Sequence, residues 1–293
     1  MGYPSTFRHR RKFHAKRRFL RLLPTLLLLF SFRGDAGVPT DLSPHWAHAQ
    51  PLPYVVEAPL SLQNNKSQGS SDGIRAPCSS GMIHVTGNYC PTVRHHCIHW
   101  LDDPELPYAR CGRYEPAAQC LAPRITLNFC IDREEYTPVG ETLPENFLSL
   151  TLGAQRCASQ NKRLCREREW NFACEGEEMR PYPYGWSREP QCHQDRIDLY
   201  EMRDGKQELR DLRVRNGDFP QCISPFGVRN LVGNLDEPVL REGAVYPFNQ
   251  TALKGGWWMP ARNRCRPATT AHDAYYRGVQ VGARCCADVI DAR

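Results

Sequence analysis

Apolar residues recur at helical spacing in only two stretches of the chain, residues 144–160 and residues 166–175. The apolar positions on these two faces are Phe147, Leu148, Leu152 and Cys157 in the first stretch, and Trp170, Ala173 and Cys174 in the second. This spacing predicts one helix in each stretch. Most other apolar runs after residue 78 are short and interrupted by Pro and Gly, which is typical of short strands and turns. The pattern therefore predicts a loop-rich α+β domain.

The N-terminal stretch has a different pattern. Residues 8–21 (RHRRKFHAKRRFLR) are basic, and residues 22–32 (LLPTLLLLFSF) form an apolar run too short to span a bilayer. Small residues at Gly34-Asp35-Ala36 are typical of a signal-peptidase site, so we predict a signal peptide over 1–36. Residues 37–77 are polar and rich in Pro, Ser and Asn, which predicts a flexible linker before a single domain at 78–288.

Removing the predicted signal peptide changes the sign of the net charge. The whole chain has a formal net charge of +6, and residues 1–36 hold nine Lys or Arg and one Asp, so the remaining chain carries −2. A chain of that charge has no general attraction for nucleic acid or for an anionic membrane surface. We expect no nucleic-acid partner and no stable membrane insertion after cleavage.

The chain contains fourteen cysteines, an even number that is typical of a disulfide-stapled protein from an oxidising compartment. Together with the signal peptide, this predicts a secreted, periplasmic or extracellular protein. Spacing alone leaves the pairing open. It also leaves open a zinc or copper site in residues 90–100 (CPTVRHHCIHW), where His95, His96 and His99 surround Cys97.

Five short segments form an ordered series. They are NKRLCREREWNFACEGEE at 161–178, YPYG at 182–185, VGNLDEP at 232–238, KGGWW at 254–258 and GARC at 282–285. In this order they resemble the landmarks of the formylglycine-generating enzyme (sulfatase-modifying factor) family, and the resemblance extends over about residues 80–288. It implies the family's fold, a loop-rich variant of the C-type lectin fold.

The resemblance implies a structural calcium site in VGNLDEP. Its ligands would be Asn234, the carbonyl of Leu235 and Glu237, and oxygen ligands of this kind suit calcium. The family usually has aromatic residues where this chain has Asp236 and Pro238. The alternative is an Asn/Asp turn that holds no ion.

Active members of the family bind copper(I) through two cysteines that follow the K-G-G motif, since soft thiolates suit that metal. A partner for Cys265 would lie about five residues away, but Pro260 stands there. Cys265 also lies twenty residues before Cys285, as does a bridging cysteine of the family. The resemblance therefore implies the disulfides Cys174–Cys265 and Cys157–Cys285, and copper is not expected.

These observations predict an exported domain that lacks the copper pair and acts as a monomeric binding or structural module for a protein or glycan ligand. No residue is assigned a catalytic role. The alternative is a protein-modifying oxidase of the same family that uses another metal site, such as the histidines at 95–99. Sequence alone leaves open whether the protein is an enzyme.

Overall fold

The structure is a computed structural model that describes residues 76–243 and 250–290. The predicted signal peptide (1–36) and all but the last two residues of the predicted linker (37–77) lie outside the described residues. Within the described part of the chain, no helix has both the length and the apolar character needed to cross a bilayer.

Thirteen short strands and two helices make up the described regular structure. In chain order they are β1 (Met82–Tyr89), β2 (Val93–Arg94), β3 (Cys97–Trp100), β4 (Cys111–Tyr114), β5 (Gln119–Cys120), β6 (Ile125–Asp132), α1 (Leu150–Ala158), β7 (Arg163–Leu164), α2 (Glu167–Glu175), β8 (Tyr200–Arg203), β9 (Lys206–Leu209), β10 (Glu237–Leu240), β11 (Thr251–Lys254), β12 (Ala268–Thr269) and β13 (Cys285–Ala287). This is the predicted α+β, loop-rich class.

The largest sheet brings the beginning and the end of the domain together. Its strand order is β1-β6-β13-β7, and β1 pairs with β6 antiparallel along its whole length. A second sheet has the order β10-β11-β12, and the remaining strands form three two-stranded pairs. Trp170 and Phe172 of α2 pack with Val85, Phe129 and Ile131 of the large sheet in the main core.

Helix α1 is shorter than the periodicity predicts. It begins at Leu150, after Ser149, whose hydroxyl accepts a hydrogen bond from the Leu152 N–H at 3.2 Å. The prediction of a helix over residues 144–149 was wrong, because the N–H groups of Phe147 and Leu148 donate to carbonyls of Gly278 and Val281 instead. Phe147 has a positive φ of 54° and is half exposed, so it is not part of the core face.

Helix α2 agrees with the prediction to within one residue. Arg166 precedes it, and the Glu169 carboxylate accepts a hydrogen bond from the Arg166 N–H at 2.8 Å. Glu169 is buried and is also paired with Arg163. Leu164 and Trp170 both point into the core, as the pattern predicts.

All fourteen cysteines, which lie within the described residues, form disulfides. The seven pairs are Cys78–Cys130, Cys90–Cys120, Cys97–Cys111, Cys157–Cys285, Cys165–Cys286, Cys174–Cys265 and Cys192–Cys222. Two of them are the pairs that the family resemblance implies. Three join the helical segment, residues 150–175, to the last 30 residues of the chain, so they tie the middle of the domain to its C-terminal segment.

The histidine-rich stretch around Cys97 does not form a metal cluster in the described structure. Cys97 is bonded to Cys111, and the His95 ring nitrogen Nε2 lies 2.7 Å from the Met179 carbonyl oxygen. No group of three or more His, Cys, Asp or Glu side chains suited to a metal occurs among residues 76–243 and 250–290.

Lys254, the lysine of the KGG motif, is fully buried in β11. Its Nζ donates to the Arg266 carbonyl at 2.8 Å, lies 3.7 Å from a Glu167 carboxylate oxygen and sits over the Trp170 ring. Burial, which penalises the charged form, lowers the pKa of Lys254 to about 7. The free energy of unfolding should therefore depend on pH through the protonation of Lys254.

We expect the Cys174–Cys265 bridge to contribute more stability than the hairpin bridge Cys97–Cys111. The two bridges span 91 and 14 residues, and the entropy of loop closure favours the longer one by about 1.7 kcal/mol. Replacing each pair by alanine and measuring urea denaturation tests this. Equal losses for the two double variants would contradict it.

Lys254→Met should remove a rise of stability at alkaline pH. Between pH 7 and the unfolded lysine's pKa, the unfolded chain binds the proton and the folded chain does not, so the free energy of unfolding increases with pH. Between neutral pH and a pH about two units higher, the free energy of unfolding of the wild type should rise by about 2 kcal/mol relative to that of the variant. Parallel denaturation curves at both pH values measure it, and the same pH dependence in both proteins would contradict it.

Candidate functional site

The two side chains predicted to bind calcium are both engaged by protein donors. The Asn234 amide oxygen accepts from the Val214 N–H at 2.9 Å, and its amide nitrogen donates to Glu135 at 2.6 Å. The Glu237 carboxylate accepts from the Trp170 indole at 2.6 Å and from the Arg284 guanidinium at 2.7 and 3.0 Å. Asn234, Leu235 and Glu237 are all buried.

This arrangement does not fit a calcium ion. Calcium needs several oxygen ligands that are free to converge on it, whereas both Glu237 oxygens face a guanidinium that is itself fully buried. The Glu237 carboxylate instead neutralises Arg284, the arginine of the GARC segment. Asn234 adopts a positive φ of 54° after Gly233, so the segment is a tight polar turn.

A surface cleft lies beside the segment that follows the KGG motif. Its volume is about 760 Å³, and the segment from Gly255 to Ala271 supplies most of its walls. The turn is held by Asn263, whose side-chain amide donates to the carbonyls of Trp257 and Met259 at 2.6 and 3.1 Å. A Cβ at Gly256 would lie 2.3 Å from the Asn263 amide oxygen, and φ there is +75°, so only glycine fits.

Cys265 lies behind this cleft and not in it. The residue is fully buried and bonded to Cys174, and its N–H donates to the Pro181 carbonyl. No cysteine lines the cleft, and Pro260 does. The only sulfur among the lining residues is the Met259 thioether.

Five charged residues line the cleft. Arg110 and Asp102 form a two-armed ion pair, with nitrogen to oxygen distances of 2.8 and 2.7 Å, and these hydrogen bonds lower the pKa of Asp102 to about 2. Arg262 and Arg264 flank Asn263 in the chain, and the Arg262 guanidinium stacks on Tyr108 and that of Arg264 on Tyr114. The last of the five is Asp236.

Asp236 stands at the position where the family has an aromatic residue, and it is buried at the inner end of the cleft. Burial raises the pKa of its carboxyl to about 7, the Gly256 N–H lowers it, and the neighbouring Glu237 raises it. The acid form of this group can therefore donate a hydrogen bond near neutral pH. No catalytic partner adjoins it among the lining residues, which include neither His, Lys nor Cys.

The two tryptophans of KGGWW have separate positions. Trp258 is fully buried, whereas Trp257 is partly exposed and lines the cleft. The two rings meet edge to face at 5.4 Å between centroids. Trp257 therefore supplies an aromatic surface to the cleft.

Sequence reasoning missed the cationic residues of the cleft. The sequence analysis singled out none of Arg110, Arg262 and Arg264, nor Tyr108. The alternation in Arg262-Asn263-Arg264 was an available signal, because two arginines two residues apart in an extended segment project on one side. Residues 102–110 line the cleft only because the β3–β4 hairpin packs beside it, and the sequence does not show where that hairpin lies.

Calcium should not stabilise the domain. Because Asn234 and Glu237 already satisfy protein donors, the melting temperature should be the same in millimolar calcium as with a chelator. Thermal unfolding in both buffers, with magnesium as the control ion, measures this. A melting temperature that rises with calcium concentration would contradict this prediction and support the calcium site that the resemblance implies.

Comparison with solved structures finds 26 similar chains, among them the following three. The crystal structure of CarF has a TM-score of 0.45 and 12% identity, covering 72% of this chain and 98% of that chain. PvdO from Pseudomonas aeruginosa has a TM-score of 0.43 and 16% identity, covering 70% and 94%. Treponema denticola variable protein 1 has a TM-score of 0.36 and 13% identity, covering 70% and 99%. A search of curated proteins finds no match.

The family comparison is more direct. The family described as "Sulfatase-modifying factor enzyme 1-like domain" matches residues 144–289, a range that contains all five ordered segments. It includes both helices, strands β7 to β13 and most of the cleft wall. The chain belongs to the formylglycine-generating enzyme (sulfatase-modifying factor) family.

Proposed function

We propose that this domain is an exported ligand-binding module of its family, and that it has no copper-thiolate centre. The observation that carries the proposal is the composition of the cleft after the KGG motif. Its lining has aromatic, cationic and hydroxyl side chains and no cysteine. The thiol nearest in sequence, Cys265, is bonded to Cys174 behind the cleft.

The charge of the cleft supports the same proposal. Copper(I) is a cation that prefers thiolate ligands, and three arginines line this cleft against two aspartates. A metal cation would have to approach Arg262 and Arg264 with no soft ligand except the Met259 thioether. The chemistry available is recognition through aromatic surfaces and hydrogen bonds, which is how small-molecule sites fix a ligand.

Export is supported by the cysteines and the N-terminal pattern. Seven disulfides, three of them closing long loops through the core, need an oxidising compartment to form and persist. The basic and apolar run at residues 8–32 would deliver the chain there.

A thiol titration of the denatured, unreduced protein should find none of the fourteen cysteines free. The same sample, loaded with copper(I) and passed over a desalting column, should retain no stoichiometric copper. The control is the protein reduced under denaturing conditions, which should titrate in full and bind copper.

Two reactive thiols in the unreduced protein, together with one retained copper, would contradict the proposal. That result would favour an oxidase of the family type. Retained zinc or iron without free thiols would also contradict it, because a different metal site would then be present.

A further inference from the structure

Two arginines of the cleft have no protein partner for their charge within the described residues. No carboxylate lies within 4.0 Å of the Arg262 or the Arg264 guanidinium, and neither donates a hydrogen bond to the described chain. Both side chains are only partly exposed. Since each guanidinium carries five N–H donors, two partly buried groups without acceptors are prepared for an acceptor from outside.

Each of the two guanidinium groups stacks on a tyrosine ring. The Arg262 guanidinium carbon lies 4.8 Å from the centre of the Tyr108 ring, and that of Arg264 lies 5.5 Å from the centre of the Tyr114 ring. Stacking on a ring face leaves the N–H groups at the edge of the guanidinium free to bind in its plane. Less conformational entropy is then lost when an anion binds.

The remaining charges of the cleft do not cancel these two. Arg110 is matched by Asp102, so this pair contributes no net charge. Asp236 contributes at most one negative charge, which leaves the lining with a net charge between +1 and +2. The domain as a whole has no such excess, since the chain after residue 36 carries −2. The positive charge is therefore local to the cleft.

Apolar and hydroxyl side chains also line the cleft. They are Trp257, Met259, Pro260 and Ala261, together with Thr269 and Thr270. An indole face binds planar rings and the apolar faces of sugar rings through dispersion contacts. A ligand that satisfies both the two arginines and Trp257 has a ring body and an anionic group at one end.

We propose that the cleft binds a small ring-bearing carboxylate, with the carboxylate on Arg262 and Arg264 and the ring against Trp257. This inference rests on the proposed function, because it names the ligand class of the same cleft. Two sources share the chemistry, an aromatic acid and a uronic acid sugar. A planar carboxylate matches the fork of an arginine in two hydrogen bonds, which selects it over a neutral ring.

Titration calorimetry of the full chain after signal removal tests the proposal, with benzoate, glucuronate and neutral benzamide as probes. At least one carboxylate should bind saturably, and benzamide about tenfold more weakly or not at all. Arg262→Gln should weaken carboxylate binding about tenfold, the loss expected for one charge-assisted hydrogen-bonded contact. Arg264→Gln should act in the same direction.

The matched control is Arg203→Gln. Arg203 lies on the β8–β9 hairpin, is paired with Glu201 and does not line the cleft, so its loss changes the net charge equally and should leave binding unchanged. Arg262 is the primary variant because Arg264 also lines a second cavity of about 420 Å³ with His95 and Trp100. Unchanged melting temperatures would show that the variants are folded.

The proposal is overturned if neither carboxylate saturates, if Arg262→Gln binds as the wild type does, or if benzamide binds as well as benzoate. Whichever carboxylate binds more tightly identifies the source, sugar or aromatic. The thiol and copper measurements report on the proposed function separately. If no thiol is free and no carboxylate binds, only this inference is contradicted. If free thiols retain copper, the proposed function is contradicted.

Discussion

The bond between Cys174 and Cys265 is the constraint on which the cleft depends. It fixes the end of the segment that follows the KGG motif to the end of α2, in the fully buried core. The chain between Gly256 and Cys265 must then turn within a few residues, and Asn263 closes that turn by bonding two carbonyls. Because the sulfur is used in the bond, the segment offers arginines and aromatic rings to the cleft instead of a thiol.

A second buried interaction explains why the family's polar landmarks are structural in this chain. Arg284 is fully buried and is neutralised by Glu237, with further hydrogen bonds to the carbonyls of Asp132 and Arg229. Leaving either charge unpaired in the core would cost several kcal/mol, so the two residues depend on each other. Trp170 donates to the same carboxylate, which links α2 to β10 and to the GARC segment.

The cleft is lined by residues from both parts of the domain. It adjoins the KGG glycines, yet its charge comes from residues outside the matched family range as well as inside it. Tyr108 and Arg110 lie in the loop between β3 and β4, which the Cys97–Cys111 bridge closes. This hairpin supplies the ring that orients Arg262, so the N-terminal part of the domain completes the site that the C-terminal part begins.

The sequence by itself determined the family, the loop-rich α+β class, helix α2 and the residues that family landmarks align, including the two implied disulfide pairs. The class and the helix follow from local spacing and the family from motif order, none of which depends on distant contacts, whereas the disulfide pairs are implied only by the family resemblance. It did not determine where α1 begins, because the N–H groups of Phe147 and Leu148 bond to carbonyls more than a hundred residues away. Nor did it show that Glu237 faces Arg284 or that Tyr108 lies under Arg262. Only the tertiary structure decided these, since the partner of a buried charge and the wall opposite an arginine are set by chain segments that are remote in sequence.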